Sequence, residues 1–380
     1  MTIDLSGALL SAFEKAKKEY KKEVENGNIE LAKEKAMECS RILKALAKNV
    51  PSYSNFYLDK AKKWQKIAEN LDKKEIEKET TDEFKSYIET LISKSSVTWN
   101  EIGGLEKVKQ LMMETIVLAG LKKPESVKPW RGILLFGPPG TGKTLLAAAS
   151  AGSLNATFFN VEAGKVLSKY FGESSKLIST LYKVARERAP SIVFIDEFDA
   201  LSLSRGMDVS EASRRMLSTL LANLDGFQDK NYNEFVLTLA ATNTPWDLDE
   251  AILSRFPRRI FVPLPDKKAC MEIIKIHAKG IDISKINLSQ LAEMCVKRLY
   301  SGREIASLCQ LAIWNMIREE NRNLIKYANL SYEELTKKSL KVRALEMRDF
   351  ANAFDRVKTP LTKDKLRKYE EWNERYGEKF

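Results

Sequence analysis

The sequence predicts an α/β fold: a parallel five-stranded sheet built around a phosphate-binding loop, with a small helical lid behind it and an all-α three-helix bundle in front. Three observations carry this. Residues 7–75 show only the three-and-four spacing of amphipathic helices. From Thr98 onward, short apolar runs alternate with helix-length segments. One of those runs leads directly into a Gly-rich loop, GPPGTGK, at residues 137–143.

The bundle comes first in the chain. Its first helix carries Leu9, Phe13, Ala16, Tyr20 and Val24 on one face and stops at Gly27-Asn28. The second carries Ala32, Ala36, Cys39, Leu43 and Leu46 and stops before Pro51; the third carries Tyr57, Ala61, Trp64, Ala68 and Leu71. None of these stripes can be buried alone, so residues 1–75 read as one three-helix bundle. Such a bundle serves either as a spacer or as a module that takes a partner segment in a groove between helices. Residues 76–97 read as a charged, partly helical linker, in which Thr80 and Glu83 could cap a helix holding Phe84, Ile88 and Leu91.

Strand candidates follow at 132–136, 156–161, 191–196, 235–241 and 259–264. They are apolar on both faces, as strands of a parallel sheet covered on both sides must be. This places a large α/β subdomain at 98–265. Beyond Pro265 the pattern is helical, with a stripe at Ile305, Cys309, Ala312 and Met316. A small helical subdomain at 266–358 and a C-terminal helix at 359–380 complete the division.

Composition narrows the function classes. The chain has 380 residues, 44% hydrophobic and 30% charged, which suffices for more than one core. No apolar run reaches membrane-spanning length, and the first twenty residues lack the pattern of a secretory signal. The cysteines at 39, 270, 295 and 309 are scattered, and there is one histidine, so a structural zinc site is not expected and reduced thiols in a cytoplasmic protein are. The net charge of +11 comes from a lysine-rich surface interleaved with glutamate. It would also suit a nucleic-acid motor, but no nucleic-acid module is recognisable.

The loop determines the chemistry. Gly137, Gly142, Lys143 and Thr144 complete the pattern G-x-x-x-x-G-K-[ST] between a strand and a helix. With Pro139 in the same loop, Gly140, Thr141 and Gly142 turn backbone N–H groups around the phosphates, at the positive end of the following helix. Lys143 pairs with the β- and γ-phosphates, and the Thr144 hydroxyl ligates Mg2+. Residues 192–199, IVFIDEFD, form an apolar strand ending in acids: Asp196 for the Mg2+ shell, and Glu197 to polarise an attacking water. Asn243, just past the next strand, has an amide able to position that water. Arg255 and Arg258 lie beyond the strand ends, where arginines can stabilise transition-state charge in a neighbouring subunit. The expectation is an ATPase with ATP and Mg2+ as its cofactors.

These motifs, with VTWNEIGGLE (97–106) and YSGREI (300–305), resemble the AAA ATPases, a family built on the AAA+ module. SKYFGES (168–174), SEASRR (210–215) and the segment from 345 to 377 resemble the meiotic clade, and within it the vacuolar-protein-sorting ATPase that remodels ESCRT-III filaments, including its archaeal Cdv cell-division counterpart. The first 75 residues are similar in size and pattern to the MIT domain of that type. The resemblance implies that Lys169, Tyr170 and Phe171 form the first pore loop, that 205–211 falls at the second, and that Ile102, Gly103 and Gly302 lie around the adenine and ribose. It also implies a place near the adenine for His277, although a lone histidine on a helix face is as often structural. Ser254 stands where close relatives often carry another arginine, which leaves open whether Arg255 or Arg258 dominates in trans.

The function that follows is an ATP-hydrolysing remodeller, a hexameric ring that disassembles ESCRT-III-like filaments by drawing subunits through its pore. It would be cytoplasmic and recruited by its partners to a membrane or division site. The alternative is a general AAA unfoldase or a microtubule-severing type, which would share residues 97–380 and differ in what the bundle binds.

Overall fold

A computed structural model of the protein describes residues 6–26, 28–121, 124, 130–169, 173–201, 211–226 and 235–379. The chain divides into two units, Met1–Tyr87 and Ile88–Phe380.

The first unit contains the expected helices, Ser6–Glu25, Ile29–Asn49 and the greater part of Ser54–Leu91. Phe13, Ala16, Cys39, Leu43, Leu46 and Ala61 form its core. Trp64 from the third helix stands edge-on to Phe13 and Tyr20 of the first, with centroids 6.1 and 5.1 Å away. Ser40 Oγ donates to the Ala61 carbonyl at 2.9 Å, which ties the second helix to the third without leaving a buried hydroxyl unpaired. Val24, assigned to the apolar stripe, is 45% exposed at the end of its helix. The third helix begins after a turn at Pro51–Tyr53 and continues to Leu91. No helix starts at Thr80. The stretch DKKEIEKETTDEFK contains strong helix formers and neither Gly nor Pro, so nothing breaks the backbone pattern where the sequence suggests a linker.

The second unit is built on a six-stranded sheet: β1 (Ile92–Ser93), β2 (Gly132–Phe136), β3 (Thr157–Glu162), β4 (Ser191–Asp196), β5 (Val236–Thr242) and β6 (Arg258–Phe261). The order is β1-β3-β4-β5-β2-β6. The five expected strands are parallel, and β1 adds an antiparallel edge against β3. Two residues are too few to show alternation, so β1 leaves no period in the sequence.

Every residue of β2 and β5 is buried. Ile133, Leu135, Ile192, Phe194, Leu237 and Leu239 line one face with Val108, Met112, Leu146 and Ala147 from the helices Glu106–Gly120 and Lys143–Leu154. On the other face, Tyr182 of helix Ser174–Glu187 shares a 2.9 Å hydrogen bond with the Thr238 hydroxyl. The register sets Phe136 opposite Thr242 and Ile195 opposite Ala240. The carboxyl ends of β2, β4 and β5 therefore meet at one edge of the sheet, where ligands bind open α/β folds.

After Pro265 the helices Lys267–His277, Leu288–Lys297, Gly302–Glu320 and Met347–Arg356 enclose a separate core. Ile305, Cys309, Ala312 and Met316 are all buried in it. All four cysteines are free and buried, and burial pushes the thiols of Cys270, Cys295 and Cys309 up to about 12. The last helix, Lys363–Tyr376, returns to the sheet: Trp372 packs 4.4 Å from the Phe136 ring on β2, and Tyr369 stacks on Phe261 of β6 at 6.5 Å. Among the described residues no helix is long and apolar enough to cross a membrane.

Candidate active site

A cavity of about 420 Å³ opens at the carboxyl edge of the sheet, beneath the small helical subdomain. Its floor is the loop Pro139–Thr144, with Asp196 and Glu197 from the end of β4 and Asn243 from the end of β5. Ile102 and Gly103 line another part of the wall, and His277 and Gly302 come from the lid. Segments distant in sequence thus contribute to one cavity.

Close approaches join the loop to the lid. Gly140 has φ +78, and a Cβ there would lie 2.3 Å from Ser301 Oγ, so only glycine allows this contact. Its carbonyl accepts from Arg303 N at 3.2 Å. Ser301 caps helix Gly302–Glu320 in a capping box with Glu304. Gly104, also at positive φ (+68), lies against Ala269, and its N–H donates to Glu272 Oε2 at 2.7 Å.

Lys143 is the most constrained charge in the cavity. It is 7% exposed, and its Nζ donates to the Gly137 and Pro138 carbonyls at 2.9 and 2.8 Å. Burial lowers its pKa from 10.5 to about 8, with Asp196 and Asp199 pulling the other way and Arg303 adding to the depression. Thr144 Oγ1 donates to Asp196 Oδ2 at 3.1 Å, and Asp196 Oδ1 accepts from Glu197 N at 2.9 Å. Glu197 adopts φ +52, a left-handed conformation that is unusual outside glycine and is concentrated at functional sites. The Asn243 Oδ1 atom is buried and accepts no hydrogen bond among the described residues. Desolvation lowers the pKa of His277, which favours its neutral form.

The arginines separate. Arg255 ends helix Glu250–Arg255, is half-buried outside the cavity, and donates to Ser254 Oγ at 2.7 Å. Arg258 is built into its own subunit. It is 7% exposed on β6, donates to Glu378 Oε1 at 2.8 and 3.1 Å, to Thr115 Oγ1 at 2.5 Å and to the Leu111 carbonyl at 3.3 Å, and lies 4.2 Å from the Trp130 ring centroid. Its guanidinium is engaged within its own chain, a structural role that the sequence does not show. Lys169 ends helix Ala163–Lys169, whereas Tyr170, Phe171 and the second pore-loop span 205–210 lie outside the described residues. Arg303, Ile273, Ile276, Leu105 and Glu101 also line the cavity, beyond the residues expected from the sequence. Arg303 sits inside SGREI and had a positional signal; the apolar residues are ordinary helix-face and turn positions with none.

A strand, a phosphate loop, a helix and two acids around one cavity define a P-loop ATPase. Residues 133–264 match the family described as ATPase family associated with various cellular activities (AAA), and residues 328–377 match the Vps4 C terminal oligomerisation domain. Spastin of Naegleria gruberi is 37% identical over 296 residues, covering 76% of this chain and 54% of that protein. A katanin of Danio rerio, the A-like 1 form of the p60 ATPase-containing subunit, is 39% identical over 295 residues, covering 74% and 58%. The chain thus matches little more than half the length of these relatives. The crystal structure of the FIGL-1 AAA domain in complex with ADP is 32% identical with a TM-score of 0.64, covering 78% of this chain and 97% of that one. The chain belongs to the AAA ATPase family, within its meiotic clade, and carries a Vps4-type C-terminal domain.

Phosphate restores the charged form of Lys143, so ADP affinity should be flat up to about pH 8 and fall above it, by about tenfold between pH 7 and pH 9. Calorimetric titration at several pH values checks this, and a flat profile to pH 9.5 would contradict it. Arg258→Ala should lower stability by about 1–3 kcal/mol through the buried Thr115 hydroxyl and the partly exposed Glu378 carboxylate it leaves unpaired, with turnover retained at low temperature. Arg255→Ala should leave the melting temperature nearly unchanged and cut turnover at least about 10³-fold.

Proposed function

We propose that this chain works as a homo-oligomeric ring, a hexamer, that uses ATP hydrolysis to pull protein subunits out of a polymer. The observation that carries the reading is the convergence of Lys143, Thr144, Asp196, Glu197 and Asn243 on one cavity. Thr144 and Asp196 present hard oxygen donors 3.1 Å apart beside the phosphate loop. Among the described residues no group of three or more His, Cys, Asp or Glu could hold a metal by itself. That combination fits Mg2+, which binds through one or two protein oxygens together with nucleotide phosphates. When bound, the ion would neutralise charge on the phosphates.

The chain's own residues supply the remaining chemistry. Lys143 exchanges its carbonyl partners for phosphate oxygens. The Glu197 carboxylate accepts a proton from the attacking water, and the unpaired Asn243 oxygen accepts that water's second hydrogen bond and so orients it. Arg255, outside its own cavity, serves the nucleotide of the next protomer in the ring, and the match to an oligomerisation domain supports this role. Tyr170 and Phe171, with Lys169, would grip the translocating chain, since aromatic side chains offer large, sequence-tolerant contact.

Two substrate readings remain. The spastin and katanin relatives support a severing-type remodeller over an ESCRT-III disassembling one. The ESCRT-III reading, with an archaeal Cdv-like role in division, draws support from the Vps4-type C-terminal domain. In both, the first unit's helices dock a short segment of the filament protein, as an MIT domain does, and bring the ring to its site of action.

The test is Glu197→Gln in the full chain. It should bind ATP, keep the ring assembled and lose turnover, and the ATP-bound protein should retain its substrate on affinity capture. A captured tubulin would select the severing reading and a captured ESCRT-III-like protein the other. Normal turnover would overturn the assignment of Glu197.

A further inference from the structure

The last helix, Lys363–Tyr376, is covered by a match to a domain described only by oligomerisation, yet it touches the catalytic edge of its own subunit. Tyr369 is 5% exposed, and its hydroxyl donates to the main-chain carbonyl of Asn243 at 2.5 Å. The ring is held from two sides, by Phe261 on β6 at 6.5 Å and by Trp246 at 4.9 Å. Lys368 Nζ in turn lies 3.8 Å from the Trp246 ring centroid. Tyr369 does not line the nucleotide cavity, whereas Asn243 does.

The turn that Tyr369 holds is fixed from its other side as well. Thr242 Oγ1 donates to Asp199 Oδ1 at 2.6 Å and accepts from Thr244 N at 3.0 Å. Asp199 lies three residues beyond Asp196 in the acidic segment. Residues 242–244 are therefore clamped between the acidic segment and the C-terminal helix. A side chain leaving such a turn takes its direction from the backbone. Displacing the Asn243 carbonyl would swing the amide that faces the water.

We propose that Tyr369 is a positioning residue for hydrolysis, holding the Asn243 backbone so that its amide is aimed at the attacking water. The C-terminal helix thereby contributes to catalysis within its own subunit, separately from ring assembly. This rests on Asn243 positioning the water, and the experiment separates the two claims. Tyr369→Phe keeps both ring contacts and removes only the hydroxyl.

ATPase kinetics, ADP binding, sedimentation and thermal melting are measured on the full chain as Tyr369→Phe, Asn243→Ala and the double variant. Tyr369→Phe should lower kcat about tenfold, with KM, ADP affinity and ring size unchanged. The double variant should be no slower than Asn243→Ala, because the hydroxyl acts only through that residue. An unchanged kcat in Tyr369→Phe, a loss confined to melting temperature or ring size, or a double variant slowed by the product of the two single effects would each overturn the proposal. Normal turnover in Asn243→Ala would overturn the water-positioning reading and this proposal with it.

Discussion

Lys143 would be charged in water at neutral pH, yet it is almost wholly removed from solvent and rests on two backbone carbonyls. Holding a lysine near 8 instead of 10.5 costs the folded chain about 3 kcal/mol at neutral pH. The sign is definite: the cost is fully present below about pH 8 and fades as pH rises toward 10.5. Much of the second unit can be understood as making that burial tolerable. The loop offers carbonyls, β4 brings Asp196 within range, and the lid closes over the loop through the Gly140–Arg303 contact. Phosphate oxygens relieve the strain when nucleotide enters, so binding is favoured by a charge already desolvated and aimed.

The sheet makes this arrangement rigid. Both faces of β2 and β5 are buried, and the register brings three strand ends to one edge. Trp372 of the chain's last helix packs on Phe136, and Glu378 just beyond that helix pairs with Arg258 on β6. The strand that carries the phosphate loop is therefore braced by residues more than two hundred positions away. The lid touches the loop through main-chain atoms and small side chains, contacts that a shift of an ångström would break.

Much of the candidate site was legible because phosphate binding needs glycines, a lysine and a hydroxyl at fixed short spacing, and because two acids must follow an apolar strand. Those constraints are local. The role of Arg258 was not legible. In sequence it sits beside Arg255 with the same charge, and only the fold shows that one ends a helix outside the cavity while the other is buried on β6 against Glu378. Arg303 was close to visible, sitting one residue past Gly302. Ile273 and Ile276 were not, because an apolar helix residue looks the same whether it meets a core or a ligand.

By itself the sequence determined the periods of the helices and strands, the phosphate loop, the acidic pair and the family, since each depends on residues within a few positions of one another. It also determined the helix around Ile305, Cys309, Ala312 and Met316, because that stripe keeps a helical spacing. Tertiary structure alone decided that a two-residue strand joins the sheet edge and that Arg258 is buried on β6 against Glu378. It alone decided that Tyr369, distant in sequence from Asn243, would hold that residue's carbonyl. The reason is common to all of these. Charge, hydroxyl and apolar surface are properties of a residue, but what they pair with is set by which chain segments the sheet brings together.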